Sequence, residues 1–277
     1  MCSFLGSGIS ANSKNKDGKR PATWEEFLKG ILAKREAKLR KHKDTIERLL
    51  IEKDYLMACE VIVDDIGEND FGDLASDEFK RPRYEPCELH EEIYKLDSRI
   101  VITPNIDKIY EQYAMTESHS SVVAKSYYEE DIAKYLRTSD YLIIRAHGHT
   151  DETSKLIFTQ KQYNKARCKH TSFYKLLDAL ILTNTFVFLG CGINDPDIKI
   201  TLENSNFLYP GTRPHYFVTA EGTYEPAVSK VLFNNRNLEL LTYENPDGTH
   251  KKLLESLKQL NQKVEEARVK IKDNQTW

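Results

Sequence analysis

Six short apolar runs constrain this chain more than any other feature. They are S-F-L-G at 3–6, R-I-V-I-T-P at 99–104, Y-L-I-I-R-A at 141–146, F-V-F-L-G at 186–190, Y-F-V-T at 216–219 and L-E-L-L-T at 238–242. Most are continuously apolar, rich in β-branched or aromatic residues, and lack polar alternation, the pattern of strands buried on both faces. Helix-like stretches separate nearly all of them. This predicts an α/β fold, a doubly wound, Rossmann-like parallel sheet. In such a sheet ligands bind outside the carboxyl ends of the strands, so the residues that follow each run are where chemistry is expected.

At 277 residues the chain is long enough for one α/β domain, read here as spanning 1–277. The net charge of −3 provides no overall attraction to nucleic acid, which is not indicated as a partner. No apolar run approaches a membrane span and no basic-then-apolar leader is present, so no membrane association is expected. The five cysteines, Cys2, Cys59, Cys87, Cys168 and Cys191, never form C-x-x-C. That argues against a disulfide framework and a zinc ribbon, and predicts free thiols in a reducing, cytoplasmic compartment with no metal bound.

Residues 23–97 interrupt the strand rhythm and read as a helical lobe inserted after the first strand. Thr23 and Glu26 form a capping box ahead of Phe27, Leu28 and Ile31. Leu49, Leu50, Leu56, Met57 and Val61 suggest a second helix, and Leu89, Ile93 and Leu96 a third. The acidic, Gly-containing stretch 64–77 reads as an exposed loop. Basic residues at 34–43 fall at helical spacing, by default a solvated face. Residues 250–272 form an amphipathic helix with a 4-3 seam of Leu253, Leu257, Leu260, Val264, Ala267 and Ile271, to pack on the sheet or to meet a partner.

Four strand ends carry candidate chemistry. Gly6, Ser7, Gly8 and Ser10 form a Gly-rich turn that suits a pyrophosphate approached by backbone N–H groups, or a plain tight turn. Thr103, Asn105 and Asp107 place a carboxamide and a carboxylate over the sheet edge. Asn105 suits a ribose hydroxyl or a water, or else caps a helix starting near Ile106. His147, in A-H-G, suits acid–base chemistry near neutral pH. With His149 it makes an H-x-H that could offer two metal ligands, although no third is evident. Gly190, Cys191 and Gly192 form a second glycine turn. Asp195 follows as a helix cap or a ribose contact.

Taken in order, these segments resemble the sirtuin NAD site: G-S-G-I-S resembles G-A-G-x-S, T-P-N-I-D resembles T-Q-N-I-D, and A-H-G resembles the catalytic H-G. F-L-G-C-G at 188–192 falls where sirtuins carry their Gly-Thr-Ser contact. Two sirtuin features are missing, the zinc-binding cysteine quartet and the P-D-F-R after the glycine turn. P-A-T-W-E-E-F at 21–27, K-L-I-F-T-Q-K-Q-Y at 155–163 and G-I-N-D-P-D-I at 192–198 resemble instead the sirtuin-like NADases of bacterial anti-phage defence. Members of that family are fused to sensor domains or stand alone beside a HerA-type hexameric ATPase, and at 277 residues the chain is expected to be of the stand-alone kind.

The resemblance implies that NAD+ is the substrate and is hydrolysed to nicotinamide and ADP-ribose. It casts Asn105 and His147 as catalytic and Asp107 as the carboxamide contact. Gly6, Ser7, Gly8, Ser10, Thr103, Gly190, Cys191, Gly192 and Asp195 would be the remaining NAD contacts. It also implies a homo-oligomer with a HerA-type partner. Two alternatives share these residues: an NAD-dependent protein deacylase, and a non-catalytic NAD or ADP-ribose sensor.

Overall fold

The computed structural model of the protein describes residues 1–192 and 195–274. Ile193 and Asn194, part of the G-I-N-D-P-D-I segment, lie outside the described residues. Seven parallel strands form one sheet: β1 Cys2–Leu5, β2 Ile100–Thr103, β3 Val123–Ser126, β4 Leu142–Arg145, β5 Phe186–Leu189, β6 His215–Ala220 and β7 Leu238–Tyr243, in the spatial order β3-β4-β2-β1-β5-β6-β7. The doubly wound α/β architecture is therefore the observed one. The six runs correspond to six of these strands. The seventh, β3, is a half-exposed edge strand, V-A-K-S, that lacks the continuous apolar signature.

Strand β1 lies between β2 and β5, with Phe4 opposite both Ile102 and Phe188. The chain leaves β1 towards β2 and later returns to build outward from β5, so the order reverses here. That reversal opens the crevice in which α/β sheets bind ligands.

Side chains alternate between the two faces of the sheet. Phe4, Ile102, Ile144, Phe186 and Phe188 pack against α10 (Gln160–Lys169), α11 (Thr171–Thr183) and α12 (Pro196–Leu208). Their neighbours Leu5, Val101, Ile143 and Leu189 pack against α7 (Glu88–Lys95), α8 (Ile109–Glu117) and α14 (Lys251–Asn274). The short helices α1 (Ser7–Ser10) and α9 (Ile132–Tyr135), together with α13 (Pro226–Arg236), complete the wrapping.

Between β1 and β2 the chain runs through α2 (Trp24–Lys34), α3 (Glu36–Leu39), α4 (Lys43–Ile51), α5 (Tyr55–Ile66), α6 (Glu68–Phe79) and α7. Thr23 and Glu26 make the expected capping box on α2. The stretch 64–77 is not the exposed loop expected from its charge: it is the end of α5 and most of α6, with Phe71, Leu74 and Ala75 buried. Gly67, at φ +87°, turns one helix into the next. Helices α2–α6 share a separate core with Ile106, Leu156 and Phe158. Those three residues follow Asn105 and His147 closely, so the helical core sits over the sheet edge that carries them.

Helix α14 buries apolar side chains only in its first half, and in its second half Arg268 pairs with Asp97. Leu253 and Leu257 are buried, and Asn261 donates to the Glu92 carbonyl of α7, whereas Leu260 and Ile271 are exposed. Among the described residues no helix is long and apolar enough to cross a membrane.

Candidate active site

The end of β2 is wired to the end of β1. The Thr103 hydroxyl donates to the Leu5 carbonyl at 2.7 Å and accepts from the Asn105 N–H at 3.0 Å. Asn105 then donates from Nδ2 to the Gly6 carbonyl at 3.0 Å and to Ser10 Oγ at 3.1 Å. No donor among the described residues reaches its Oδ1, which leaves an acceptor free at the half-buried edge. Asn105 does not cap a helix. Helix α8 begins only at Ile109, whose N–H donates to Asp107 Oδ1. Burial raises the Asp107 carboxyl above its ordinary range, against the lowering pull of the Ile109 N–H and the Ser10 hydroxyl.

Beneath this network lies a cavity of about 10 Å³ lined by Ser10, Thr103, Asn105, Asp107, Glu111 and Arg145, among others, room for about one water. Its floor is a buried ion pair. Arg145, at the end of β4, donates from Nε and Nη2 to the two oxygens of Glu111 at 2.7 Å each, and from Nη1 to Ser126 Oγ at 3.2 Å. Such a forked, charge-assisted pair fixes orientation as well as distance.

Thr103 and Arg145 are register partners on β2 and β4, so Asn105 and His147, each two residues beyond, leave adjacent strands at the same level. His147 is 5% exposed. Its Nε2 lies 3.5 Å from Asp195 Oδ2, and its ring meets that of Tyr163 edge-on at 5.0 Å. Tyr163 OH donates to the same Asp195 oxygen at 3.2 Å, while Asp195 Oδ1 accepts from Ile198 N–H in the first turn of α12. Asp195 is thus the helix cap of one reading and also a neighbour of the imidazole.

The H-x-H does not present two imidazoles together. His149 Nδ1 accepts from Asp151 N–H and its Nε2 faces Tyr128 OH at 3.3 Å. Burial, more than the nearby Arg145, lowers its pKa. Among the described residues no group of three His, Cys, Asp or Glu is placed to hold a metal.

The glycine turns have a packing role that the phosphate reading did not anticipate. A Cβ on Gly6 would lie 2.4 Å from the Gly190 carbonyl oxygen, and one on Gly190, at φ +62°, would lie 2.6 Å from Ile9 N. Gly6 N–H donates to Leu189 O and Gly8 N–H to Gly190 O. The two turns therefore close on each other, and both amides are committed to the protein. Ser7, Gly8 and Gly192 are exposed at the crevice. The Cys191 thiol points inward to the Phe4 and Leu189 carbonyls, and burial pushes its pKa far up.

Residues 99–241 match the family described as SIR2-like domain. The chain belongs to this family. The matched SIR2-like span holds Thr103, Asn105, Asp107, His147, Gly190, Cys191, Gly192 and Asp195, while the Gly6–Ser10 turn precedes it. Three curated proteins named NAD(+) hydrolase ThsA are also similar. The one from Acinetobacter baumannii (strain 532279) is 21% identical over 216 residues, 78% of this chain and 41% of that protein. The one from Enterococcus faecium is 27% identical over 136 residues, 48% and 28% respectively. That from Bacillus cereus (strain MSX-D12) is 24% identical over 141 residues, 50% and 29%. The chain spans less than half the length of these relatives.

Three residues of the site were not singled out from sequence. Tyr163 ends the K-L-I-F-T-Q-K-Q-Y segment, but its approach to His147 is set by the tertiary fold. Arg145 did carry a signal: a charge inside the apolar run Y-L-I-I-R-A needs a buried partner. Glu111, on α8, is that partner.

Proposed function

We propose that this protein is an NAD+ glycohydrolase, releasing nicotinamide and ADP-ribose, and that it depletes NAD+ in anti-phage defence. The observation that carries the reading is the pairing of Asn105 and His147 on register-matched strand ends beside the β1/β5 crevice. The names of the similar proteins support it. Breaking the nicotinamide–ribose bond passes through an oxocarbenium-like state, as in glycoside cleavage. Nicotinamide leaves neutral, taking the bonding electrons. Asn105 Oδ1 accepts from a ribose hydroxyl or the attacking water, whose oxygen bonds to C1′ while its proton passes to His147. Asp107 orients the carboxamide. The exposed Ser7, Gly8 and Gly192, with the half-buried Gly190 and Cys191, take the diphosphate and adenosine side, while the buried Ser10 holds Asn105 from behind.

The test is mass-resolved product analysis of NAD+ incubated with the protein, with and without an acetylated peptide. Peptide-independent release of nicotinamide with ADP-ribose supports hydrolysis. Release that requires the peptide favours the deacylase, and tight nucleotide binding without turnover favours a sensor. The proposal extends to a cytoplasmic homo-oligomer working with a HerA-type ATPase, using the helical lobe of 23–97 and the exposed half of α14 as contact surfaces. Light scattering with and without such an ATPase tests this, and a monodisperse, fully active monomer removes it.

A further inference from the structure

We infer that Asp195 and Tyr163 form a positioning pair for His147, holding the imidazole in one orientation and stabilising the charge it gains as it takes a proton. The inference rests on the NAD+ cleavage reading above and reassigns Asp195, expected from sequence as a contact to the nucleotide. Three observations converge on it. Asp195 Oδ2 lies 3.5 Å from His147 Nε2, and the same oxygen accepts from Tyr163 OH at 3.2 Å. The Tyr163 ring stands edge-on to the imidazole, 80° between planes, which restricts rotation about its χ2. Asp195 Oδ1 is tied to Ile198 N–H, so the carboxylate is held by the α12 terminus and not by a mobile side chain alone.

The arrangement has a chemical logic. A base that removes a proton from water or a ribose hydroxyl becomes a cation in a buried place, where an unpaired charge is expensive. A fixed carboxylate on one imidazole nitrogen offsets that cost and sets the tautomer, leaving the other nitrogen to receive the proton. Among the described residues, the titratable groups against the imidazole are Tyr163 from α10 and Asp195 from the start of α12. The Cys191 thiol, near Asp195, is kept neutral by burial. A helix cap alone would not require Tyr163, and a nucleotide contact would not require the imidazole to face the same oxygen.

The decisive variant is Asp195→Asn. Asparagine caps a helix as well as aspartate does, so α12 keeps its start while the charge is removed. The expected result is a loss of about 10- to 100-fold in kcat, less than the ~10²–10⁴ of the general base itself, with little change in NAD+ affinity and an altered pH dependence of kcat/KM. Tyr163→Phe should lose a smaller factor. Long-range ¹H–¹⁵N spectra of the imidazoles, with the His147 signals assigned through His147→Gln, add a readout that needs no turnover: the His147 tautomer populations should change in Asp195→Asn. If wild type cleaves NAD+ and Asp195→Asn changes only KM and affinity, with tautomers and pH profile unmoved, Asp195 is a nucleotide contact and the inference fails. If nothing changes except on Asp195→Ala, which loses thermal stability, Asp195 is only a cap and the inference fails equally. If wild type does not cleave NAD+ at all, the cleavage reading falls, while the spectra still decide whether the pair orients the imidazole.

Discussion

Asn105 is tied to the end of the neighbouring strand, whereas His147 is met by side chains from two helices packed over the sheet. The Asn105 cluster closes within the β1 and β2 ends and sits on the Arg145–Glu111 pair. The His147 cluster draws on α10 and the start of α12. The segment that follows His147 is further tied to the helical lobe: Ser76 Oγ donates to the Thr150 carbonyl, and Lys80 pairs with Asp151. The difference teaches which half can be adjusted. The lobe meets both sides, Asn105 through the buried Ile106 next to it and His147 through the fastened segment at Thr150 and Asp151, while Asn105 is also buttressed from within the sheet.

On this contrast the His147 side should weigh more on chemistry than on stability, and the Asn105 side, seated on a buried ion pair, more on stability. His147→Ala should lower NAD+ cleavage by about 10²–10⁴, the usual loss for a positioned general base, with a fall in melting temperature that reflects the cavity left by a buried ring and is smaller than that of Glu111→Gln. A folded His147→Ala protein with near-normal nicotinamide release breaks the comparison at its strongest point. Glu111→Gln should act in the opposite sense. It leaves the Arg145 guanidinium buried without its charge partner, at a cost of about 3–5 kcal/mol, read as a lower midpoint in urea denaturation. A neutral outcome there means that the floor of the Asn105 cluster is not what stiffens it.

Asn105→Ala should show both effects at smaller scale. Two hydrogen bonds to Gly6 O and Ser10 Oγ disappear, costing about 1–3 kcal/mol, and turnover should fall more than nucleotide affinity measured by calorimetry. Parallel losses of turnover and affinity would make Asn105 a binding residue only. The smallest effect belongs to the lobe fastening. Lys80 first, then Lys108, hold Asp151 down to about 2 against the desolvation that raises it. A lowered carboxylate stabilises the fold above its unfolded value of 3.8, and that contribution fades as pH falls through the folded value. Asp151→Asn should therefore melt slightly lower than wild type at neutral pH, with the gap closing between about pH 4 and 2. A gap that does not change with pH removes the charge from the explanation.

Much of this was legible in the sequence because buried parallel strands announce themselves by unbroken apolar runs. Strand β3 did not, since an edge strand half open to solvent tolerates Lys125. Helix α6 was hidden by Asp and Glu on its outer face and by Gly72, whose missing Cβ makes room for Thr153, 2.8 Å from where it would stand. The Ser10, Asn105 and Asp107 cluster could be named because its members flank the strand ends. The convergence of Tyr163, Asp195 and His147 could not, because it depends on how α10 and α12 pack over the sheet.

The place of β1 carries a consequence for how the molecule is made. Cys2 must find Ile100 on one side and Phe186 on the other. The centre of the sheet therefore cannot close until the ribosome has released most of the chain. The lobe helices, whose core is largely local, can collapse well before that. Loop-closure entropy makes such distant pairings slow to form. During synthesis the first strand is thus an unpaired apolar segment waiting for its neighbours, and refolding should show an early helical phase followed by a slower one in which the sheet and the crevice at its edge appear together.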